Sequence, residues 1–329
     1  MIMLKNKTIL ITGGTGSFGQ SFVEHVLKMS APKSIRIYSR DELKQYEMRK
    51  KLNYHPRLRF LIGDVRDGER LRRAVEGVDI LIHTAALKQV PACEYNPIEA
   101  IKTNINGAIN VIEASLDNRV EKVIALSTDK AVNPINLYGA TKLCSDKLFI
   151  QANAYIGNRP TRFAVIRYGN VLASRGSVIP LFREQLLAGK KLTLTSEQMT
   201  RFWITLDQAV KFVITSLKMM RGGEIFVPKL PSMKIIDLIK AIDSKAQFKT
   251  IGLRAGEKLD EYLISNEEGN RTYELKDRYI IEPEENFVDS GQLSNKLTKR
   301  PPAEFNYNSR DNQWWLTQAE MRKILNQLN

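Results

Sequence analysis

A tyrosine and a lysine four residues apart are the residues of this sequence that most clearly suggest chemistry. Tyr138 and Lys142 belong to the segment Tyr-Gly-Ala-Thr-Lys, and residues four apart share one face of a helix. An ammonium beside a phenol favours the phenolate. Lys142 is therefore expected to lower the pKa of Tyr138, so that the phenolate accepts a proton from a substrate hydroxyl. Thr128, in the segment Ser-Thr-Asp-Lys, is expected to hold the same hydroxyl by a hydrogen bond.

A glycine-rich segment near the start of the chain indicates where a cofactor binds. Residues 12–19 read Thr-Gly-Gly-Thr-Gly-Ser-Phe-Gly, between a short β-branched run and a helical stretch. Glycines in this context permit a tight turn, close approach of the backbone to a pyrophosphate and close packing of helix on strand. The terminal Gly-Lys-Ser/Thr of a P-loop is missing, which disfavours a nucleoside triphosphatase. The predicted dinucleotide site includes Gly13, Gly16, Ser17, Phe18 and Gly19.

The residues after the second predicted strand bear on which dinucleotide binds. An acid at this point usually selects NAD by holding the ribose 2′-hydroxyl, but here Ser39 and Arg40 come first. A hydroxyl and a guanidinium suit a 2′-phosphate, and Lys44 lies one helical turn further. We therefore expect NADP, while the neighbouring Asp41 leaves NAD open.

Short apolar strands alternate with helices through the first half of the chain. The predicted strands are residues 7–12, 34–38, 59–62, 79–83, 122–127 and 163–167. This alternation predicts an α/β fold with a doubly wound parallel (Rossmann) sheet. We expect a dinucleotide-binding domain of residues 1–172 plus about 202–228, and a smaller C-terminal α/β substrate-binding lobe of residues 173–201 plus 229–329. Further cofactor contacts are predicted after the third and fourth strands, at Asp64, Val65, Ala86 and Lys88.

Composition restricts the class of protein. The chain has 329 residues, of which 43% are apolar and 26% charged, as in a globular protein with a sizeable core. No apolar run approaches the roughly 18 residues of a membrane helix, and the first residues lack the apolar segment of a signal peptide. Cys93 and Cys144 are the only cysteines, which argues against a disulfide framework and a Cys-rich metal site. We expect a cytoplasmic protein with no metal and no membrane partner.

The charge balance is strongly basic, since 50 basic and 36 acidic residues give a net charge of +14. Such an excess is compatible with binding to nucleic acid. The basic residues are dispersed, however, and no zinc finger, RNP motif or arginine-rich arm is present. We interpret the charge as a solvated surface and predict no nucleic-acid partner.

The order and spacing of the glycine segment, Thr128, Tyr138 and Lys142 resemble the extended short-chain dehydrogenase/reductase family. The resemblance covers nearly the whole chain and fades after about residue 282. Within that family, retaining hexose 4,6-dehydratases carry Asp-Glu after the threonine. The pair Asp129-Lys130 is instead similar to the inverting UDP-N-acetylglucosamine 4,6-dehydratases. This resemblance implies a soluble NADP-dependent lyase that acts on a UDP-sugar, begins pseudaminic acid biosynthesis and forms a homo-oligomer, a dimer or a hexamer.

The resemblance also implies a role for each group around the sugar. Tyr138 would take the C4 hydroxyl proton, neutral Lys130 would remove the C5 proton, and Asp129 would protonate the departing C6 hydroxyl. A proton then enters C5 from the opposite face, with Tyr138 and Lys130 both open as its donor. The alternative for Asp129-Lys130 is a solvated ion pair without a catalytic role. The candidate substrate-binding residues are Lys88, Asn170, Arg175, Arg201 and Arg254.

Two other functions stay open on the sequence alone. A UDP-N-acetylglucosamine 4-epimerase would use the same tyrosine and lysine but needs no acid and base for C5 and C6. Replacement of Lys130 would therefore leave an epimerase active. A non-catalytic NADP-binding regulator would keep the glycine segment, but such proteins often lose the tyrosine or the lysine, and both are present here.

Overall fold

A nine-stranded, mostly parallel sheet lies at the centre of the protein in this computed structural model. The structure describes residues 2–172, 174, 176–284 and 299–328. Its strands are β1 (Thr8–Thr12), β2 (Ser34–Ser39), β3 (Leu58–Ile62), β4 (Ile80–His83), β5 (Lys122–Leu126), β6 (Arg162–Ile166), β7 (Asn170–Val171), β8 (Leu192–Leu194), β9 (Thr200–Ile204), β10 (Ile225–Pro228), β11 (Ser232–Lys234), β12 (Phe248–Thr250), β13 (Tyr262–Ile264), β14 (Thr272–Glu274), β15 (Arg278–Ile281) and β16 (Tyr307–Asn308). The α-helices are α1 (Ser17–Met29), α2 (Glu42–Lys51), α3 (Gly68–Val75), α4 (Val90–Tyr95), α5 (Pro97–Ile101), α6 (Gly107–Asp117), α7 (Leu137–Gln151), α8 (Val178–Leu187), α9 (Leu206–Met219), α10 (Ile235–Ile242), α11 (Asn266–Gly269) and α12 (Gln318–Gln327).

The central sheet confirms the predicted fold class. Its strand order is β14-β15-β10-β6-β5-β4-β1-β2-β3, and the seven strands from β10 to β3 are parallel to one another. The six predicted strands of the first half occur within one residue of their expected ends. All residues of β1 and β4 are buried. Both faces of the sheet are therefore covered, as expected for parallel strands with helical crossovers.

Strands β14 and β15 lie in the central sheet, although their residues fall in the stretch that we assigned to the smaller lobe. β15 pairs antiparallel with β10, placing Ile280 opposite Phe226, and β14 pairs with β15. Burial of the run Tyr279–Ile281 against the sheet accounts for this return. The proposed domain boundary at about residue 228 stays a prediction. The structure shows in addition that the chain returns to the central sheet after this boundary, at β14 and β15.

The smaller lobe has a hydrophobic core of its own. It surrounds Trp203 of β9 and includes Leu172, Phe182, Met233, Leu238 and Met321. Three small sheets (β11-β9-β7, β12-β8 and β13-β16) contribute to this part of the chain. None of the helices described is both long enough and apolar enough to cross a bilayer.

His83 ends β4 at the edge of the sheet where the predicted site lies, and it is fully buried. Its Nδ1 atom is 2.8 Å from Thr12 Oγ1. Burial, with a smaller effect of the nearby Lys142, lowers the pKa of His83 to about 3. The unfolded chain, in which a histidine has a pKa of about 6.5, therefore binds one more proton than the folded protein between these two values.

We expect acid to destabilise the fold through His83. Because its pKa is lower in the folded state, its contribution is fully present above about pH 6.5 and decreases by about 1.4 kcal/mol per pH unit below it. Urea unfolding of the wild type and of His83→Gln at several pH values measures this slope, which should be shallower in the variant. His55→Gln, at a partly exposed loop histidine, is the control and should keep the wild-type slope. Equal slopes in all three proteins would contradict the expectation.

Candidate active site

A cavity of about 1150 Å³ opens at the carboxyl ends of the parallel strands. This volume exceeds the roughly 300–1,000 Å³ of an ordinary small-molecule site, as expected where a cofactor and a substrate lie together. It is lined by nearly all of the predicted site residues that the structure describes: Gly13, Gly16, Ser17, Phe18, Ser39, Arg40, Lys44, Asp64, Val65, Ala86, Lys88, Thr128, Asp129, Lys130, Tyr138, Lys142, Asn170, Arg201 and Arg254. Gly19 lies behind the loop, against the backbone of Gly14. Arg175 lies outside the described residues.

The glycine loop fits the pyrophosphate of a dinucleotide. Gly13 has φ +65°, and a Cβ atom there would lie 2.9 Å from the Ala85 nitrogen and from Thr84 Oγ1. Helix α1 begins directly after Gly16, which offers no side chain to the N–H groups of the first turn. Unpaired N–H groups at a helix start bind anions. Backbone shape and charge here therefore suit the cofactor phosphates.

The end of β2 and the residues near it bring two cations and two carboxylates to the cavity. Asp41, the acid that left NAD open, caps α2, and its carboxylate accepts a hydrogen bond from the Lys44 backbone nitrogen at 2.9 Å. It also pairs with the Lys44 amine. The Arg40 guanidinium lies at the surface of the cavity with Nη1 3.6 Å from Asp64 Oδ2. The carboxylate of Asp41 is thus engaged by the start of α2 and by the Lys44 amine, and Arg40 and Lys44 each have a carboxylate beside them.

Helix α7 places Tyr138 beside the turn that carries Lys130. Asn136 caps this helix by accepting a hydrogen bond from the Gly139 nitrogen at 2.8 Å. A Cβ atom on Gly139 would lie 2.2 Å from the Lys130 carbonyl oxygen. Only a glycine at this position allows the helix to pack so closely on the turn Asp129–Ala131. Tyr138 and Lys130 consequently lie on neighbouring elements of the cavity lining.

The expected lowering of the Tyr138 pKa by Lys142 is not found in the protein alone. Burial raises the pKa of Tyr138 to about 12, while Lys130 and a hydrogen bond with Thr128 act in the opposite direction. The Lys142 amine donates instead to the Leu126 carbonyl oxygen at 2.8 Å. Burial lowers the pKa of Lys142 itself. Desolvation of the phenol therefore outweighs the effects of Lys130 and Thr128 on its pKa.

The prediction of a neutral Lys130 is also wrong for the protein alone. Its Nζ atom lies 3.0 Å from Asp129 Oδ1 and 3.1 Å from Glu261 Oε1. Burial acts to lower the pKa of Lys130, but these two carboxylates outweigh it and raise the pKa above the usual range of a lysine. Lys130 is thus an ammonium. A solvated ion pair does not describe it either, because the side chains of Asp129 and Glu261 are 1% and 2% exposed.

Two cavity residues, Glu261 and Lys258, were not predicted as site residues from the sequence. Arg201 holds their segment in place, because its guanidinium donates to the carbonyl oxygens of Lys258 and Leu259 at 2.9 Å each. Its Nε atom is also 3.8 Å from Glu261 Oε1. Spacing offers no signal for Glu261, which follows Lys130 by about 130 residues in the chain.

A π-helical turn, Lys102–Asn106, joins α5 to α6. Within it, Asn104 accepts a hydrogen bond from the Leu87 nitrogen and donates to the Leu87 oxygen and to Thr141 Oγ1 at 2.8–3.0 Å. The loop that carries Lys88 is thereby fixed to α7. Burial, and secondarily Lys130, lowers the pKa of Lys88, which also lines the cavity.

No group of three or more His, Cys, Asp or Glu residues in the described part of the chain is arranged to hold a metal ion. The absence of a metal nevertheless stays a prediction.

A sequence profile of the family described as "Polysaccharide biosynthesis protein" matches residues 9–283. The chain belongs to this family. Its members are extended short-chain dehydrogenase/reductases, so the predicted family is confirmed. The glycine loop, Thr128, Tyr138 and Lys142 can accordingly be compared with those of characterised relatives.

Three relatives illustrate the range of this family. The chain is 53% identical over 331 residues, 98% of each chain, to the inverting UDP-N-acetylglucosamine 4,6-dehydratase of Campylobacter jejuni. It is 49% identical over 286 residues, 85% of this chain and 84% of the relative, to a UDP-glucose 4-epimerase of Rickettsia conorii. The crystal structure of Pen from Bacillus thuringiensis superposes with a TM-score of 0.91 at 39% identity, covering 99% of each chain.

Two glycines with the same backbone angle allow a test of the cofactor loop. Gly13 and Gly189 both have φ +65°, but no atom lies within 4 Å of a Cβ on Gly189. Gly189→Ala should cost about 1 kcal/mol of unfolding free energy, the penalty of a left-handed alanine, and retain the cofactor. Gly13→Ala should cost at least about 1 kcal/mol more, because the Thr84–Ala85 backbone must move. It should also release nicotinamide dinucleotide from the purified protein. Retention of the dinucleotide by both variants would contradict the assignment.

Proposed function

We propose that this protein is an NADP-dependent UDP-N-acetylglucosamine 4,6-dehydratase that inverts C5. The expected product is UDP-2-acetamido-2,6-dideoxy-L-arabino-4-hexulose. One observation carries the proposal: Asp129 and Lys130 face the cavity beside Tyr138 and do not point into bulk solvent. An acid and a base are thereby available in addition to the tyrosine that oxidation at C4 requires. The similarity to the Campylobacter jejuni dehydratase supports the same conclusion.

The first step uses the phenol. A nicotinamide cofactor supplies a hydride acceptor, a positive charge beside the phenol and, at the end of the reaction, a hydride donor. Thr128 and Tyr138 hold the C4 hydroxyl, and the phenolate of Tyr138 takes its proton. The resulting C4 ketone acidifies the hydrogen on C5, which prepares the sugar for elimination.

Loss of water then requires one proton acceptor and one proton donor. Lys130 passes a proton to Asp129 across their 3.0 Å contact, which leaves an amine and a carboxylic acid without a change in net charge. The amine takes the C5 proton, and the electron pair of the C5–H bond forms the C5–C6 double bond. As the C6–O bond breaks, Asp129 protonates the departing hydroxyl to give water. The ammonium and carboxylate of the resting site are restored.

Inversion requires a proton donor on the face of C5 opposite the base. Lys130 lies on the face from which the C5 proton leaves, so we assign the donation to Tyr138, which by then carries the C4 hydroxyl proton. Donation restores the phenolate. The hydride is returned to C6. The side chains have then taken two protons, from the C4 hydroxyl and from C5, and have given two, to the departing hydroxyl and to C5. The only net change is the loss of water.

The reaction in deuterium oxide tests the proposal. NMR of the mixture of purified protein and UDP-N-acetylglucosamine should show the 4-keto-6-deoxy product with inverted configuration and deuterium at C5. Lys130→Ala should lower kcat by about 100-fold or more, the usual contribution of a general base, while keeping its cofactor. Lys147→Ala removes an exposed lysine of α7 and should leave the rate unchanged. A product with retained C5 configuration would overturn the assignment.

A 4-epimerase is the second candidate, favoured by the 49% identity to the Rickettsia conorii enzyme. Epimerisation at C4 requires no proton transfer at C5 or C6. Recovery of only the C4 epimer from the same incubation, with Lys130→Ala fully active, would establish this function in place of the dehydratase.

The preference for NADP is supported by Ser39, Arg40 and Lys44 at the cavity edge and by the engagement of Asp41 in capping α2. Charge-assisted hydrogen bonds to a 2′-phosphate contribute about 1.5–3 kcal/mol. Arg40→Ala should therefore reduce the preference for NADP over NAD by about 10- to 100-fold in competition binding. Arg49→Ala, on α2 but outside the cavity lining, should leave it unchanged. An unaltered preference in Arg40→Ala would favour NAD.

Four broader expectations belong to the same proposal. A homo-oligomer, a dimer or a hexamer, is supported by the exposed apolar side chains of Tyr95, Ile98 and Ile101 on α4 and α5. The place of the reaction at the start of pseudaminic acid biosynthesis is supported by the resemblance described above. A cytoplasmic location and the absence of a nucleic-acid partner stay predictions from composition.

A further inference from the structure

We propose that Glu261 is a positioning residue for Lys130: it orients the amine towards C5 and stabilises the ammonium that forms when the C5 proton is taken. The inference rests on the proposed dehydratase function, because it assigns Lys130 the part of the base. Catalytic bases are commonly oriented by a third group of opposite charge. Here the third group lies about 130 residues further along the chain, directly before β13.

The geometry around Lys130 Nζ carries the inference. Asp129 Oδ1 and Glu261 Oε1 both lie within 3.1 Å of this atom. The second oxygens of the two carboxylates, Asp129 Oδ2 and Glu261 Oε2, are buried and have no hydrogen-bond partner among the residues described. Two carboxylates therefore converge on one amine in a site that shields them from water.

The two carboxylates have different parts in the proposed reaction. Asp129 gives a proton to the leaving hydroxyl and is uncharged for part of the elimination. Glu261 exchanges no proton, so its negative charge is present while Lys130 takes the C5 proton. The charge of Glu261 makes the amine a stronger base once Lys130 has passed its proton to Asp129, and the 3.1 Å contact holds the amine in place while the C5 proton is transferred.

Glu261 is held in this position by the backbone around it. Its nitrogen donates to Ser309 Oγ and its oxygen accepts from the Ser309 nitrogen, both at 2.9 Å. Arg201 lies 3.8 Å from Glu261 Oε1 and also donates to the carbonyl oxygens of Lys258 and Leu259. Glu261 thus has a guanidinium near it as well as the Lys130 amine.

Several charged or titratable groups act on Lys130 or are affected by its charge: Asp129, Glu261, Arg201, Lys88, Lys258 and Tyr138. The carboxylates raise the pKa of Lys130, and Arg201 acts against them. For Lys258, burial is the largest influence and lowers its pKa. The pKa of Lys130 is thus raised and the pKa of Lys258 is lowered. Lys258 can therefore serve as a reference for Lys130 within the same cavity.

The test measures the amine directly and needs no substrate. Holoenzyme is pulsed with acetic anhydride between about pH 7 and pH 10, where the neutral amine reacts, and acetylation of Lys130 and Lys258 is quantified by peptide mass spectrometry. In the wild type, Lys130 should become reactive at higher pH than Lys258. Glu261→Gln should move the Lys130 profile down by about one pH unit or more, since a nearby opposite charge shifts a pKa by about 1–3 units. The Lys130 profile of Glu261→Asp should lie between the profiles of the wild type and of Glu261→Gln.

Kinetics supply the second measurement. With UDP-N-acetylglucosamine, Glu261→Gln should lower kcat and the rate of C5 deuterium exchange by about 10-fold or more, with KM changed by less than about threefold, because the lost interaction acts in the transition state. Glu261→Asp should recover part of the loss. Glu224→Gln alters another buried carboxylate, which lies outside the cavity lining, and should change neither the acetylation profile nor kcat.

An unchanged Lys130 profile in a folded, cofactor-bound Glu261→Gln protein would overturn the inference even where the wild type forms the expected product. If Glu261→Gln does not fold, the wild-type comparison decides: a Lys130 profile at or below that of Lys258 overturns the inference. Failure of the wild type to dehydrate the sugar, with the acetylation shifts present, would instead reject the proposed function.

Discussion

The ammonium of Lys130 between two buried carboxylates is the interaction on which the rest of the site depends. Removal of charged groups from water is costly, and a buried pair is tolerated when its partners are close and well placed. Asp129 belongs to the turn after β5, whereas Glu261 directly precedes β13. The charges are matched only when the segment before β13 packs against this turn. Assembly of the site therefore requires this long-range packing.

Two further hydrogen bonds join the segment before β13 to helix α7 and to the turn after β5. Asn136 caps the tyrosine helix with its side-chain oxygen and donates from its side-chain nitrogen to the Gly256 carbonyl oxygen at 2.8 Å. The Lys258 amine donates to the Val132 carbonyl oxygen at 2.6 Å. The helix that positions Tyr138 and the turn that carries Lys130 are thus both bound to the segment just before Glu261. A shift of that segment would alter the position of the phenol and the charge balance of the amine together.

Local pattern predicts the nucleotide-binding half well, and the electrostatics of the site poorly. The strands from β1 to β6 are short apolar runs bounded by turn residues, so periodicity locates them within a residue. The glycine loop, Tyr138 and Lys142 are close in sequence and carry recognisable spacing. Glu261 has no such signal, because its partner is distant in the chain and meets it only through tertiary packing. The charge of Lys130 depends on two nearby carboxylates, and the raised pKa of Tyr138 depends on burial. The spacing of residues in the sequence predicts neither. The return of β14 and β15 to the central sheet is a long-range pairing of the same kind.

The same constraint separates the two enzymatic candidates on physical grounds. Epimerisation at C4 requires a phenol, a bound dinucleotide and room for the sugar to turn, and none of these involves Asp129, Lys130 or Glu261. Burial of one ammonium and two carboxylates beside that phenol opposes folding unless each charge is compensated, and replacing such a cluster with apolar residues is often neutral or stabilising. In this cluster Asp129 and Lys130 are in direct contact for proton transfer, and Glu261 stabilises the protonated amine. Elimination across C5 and C6 requires such an acid and base. The proximity of Asp129 and Lys130 to Tyr138 is thus a requirement of dehydration that epimerisation does not share.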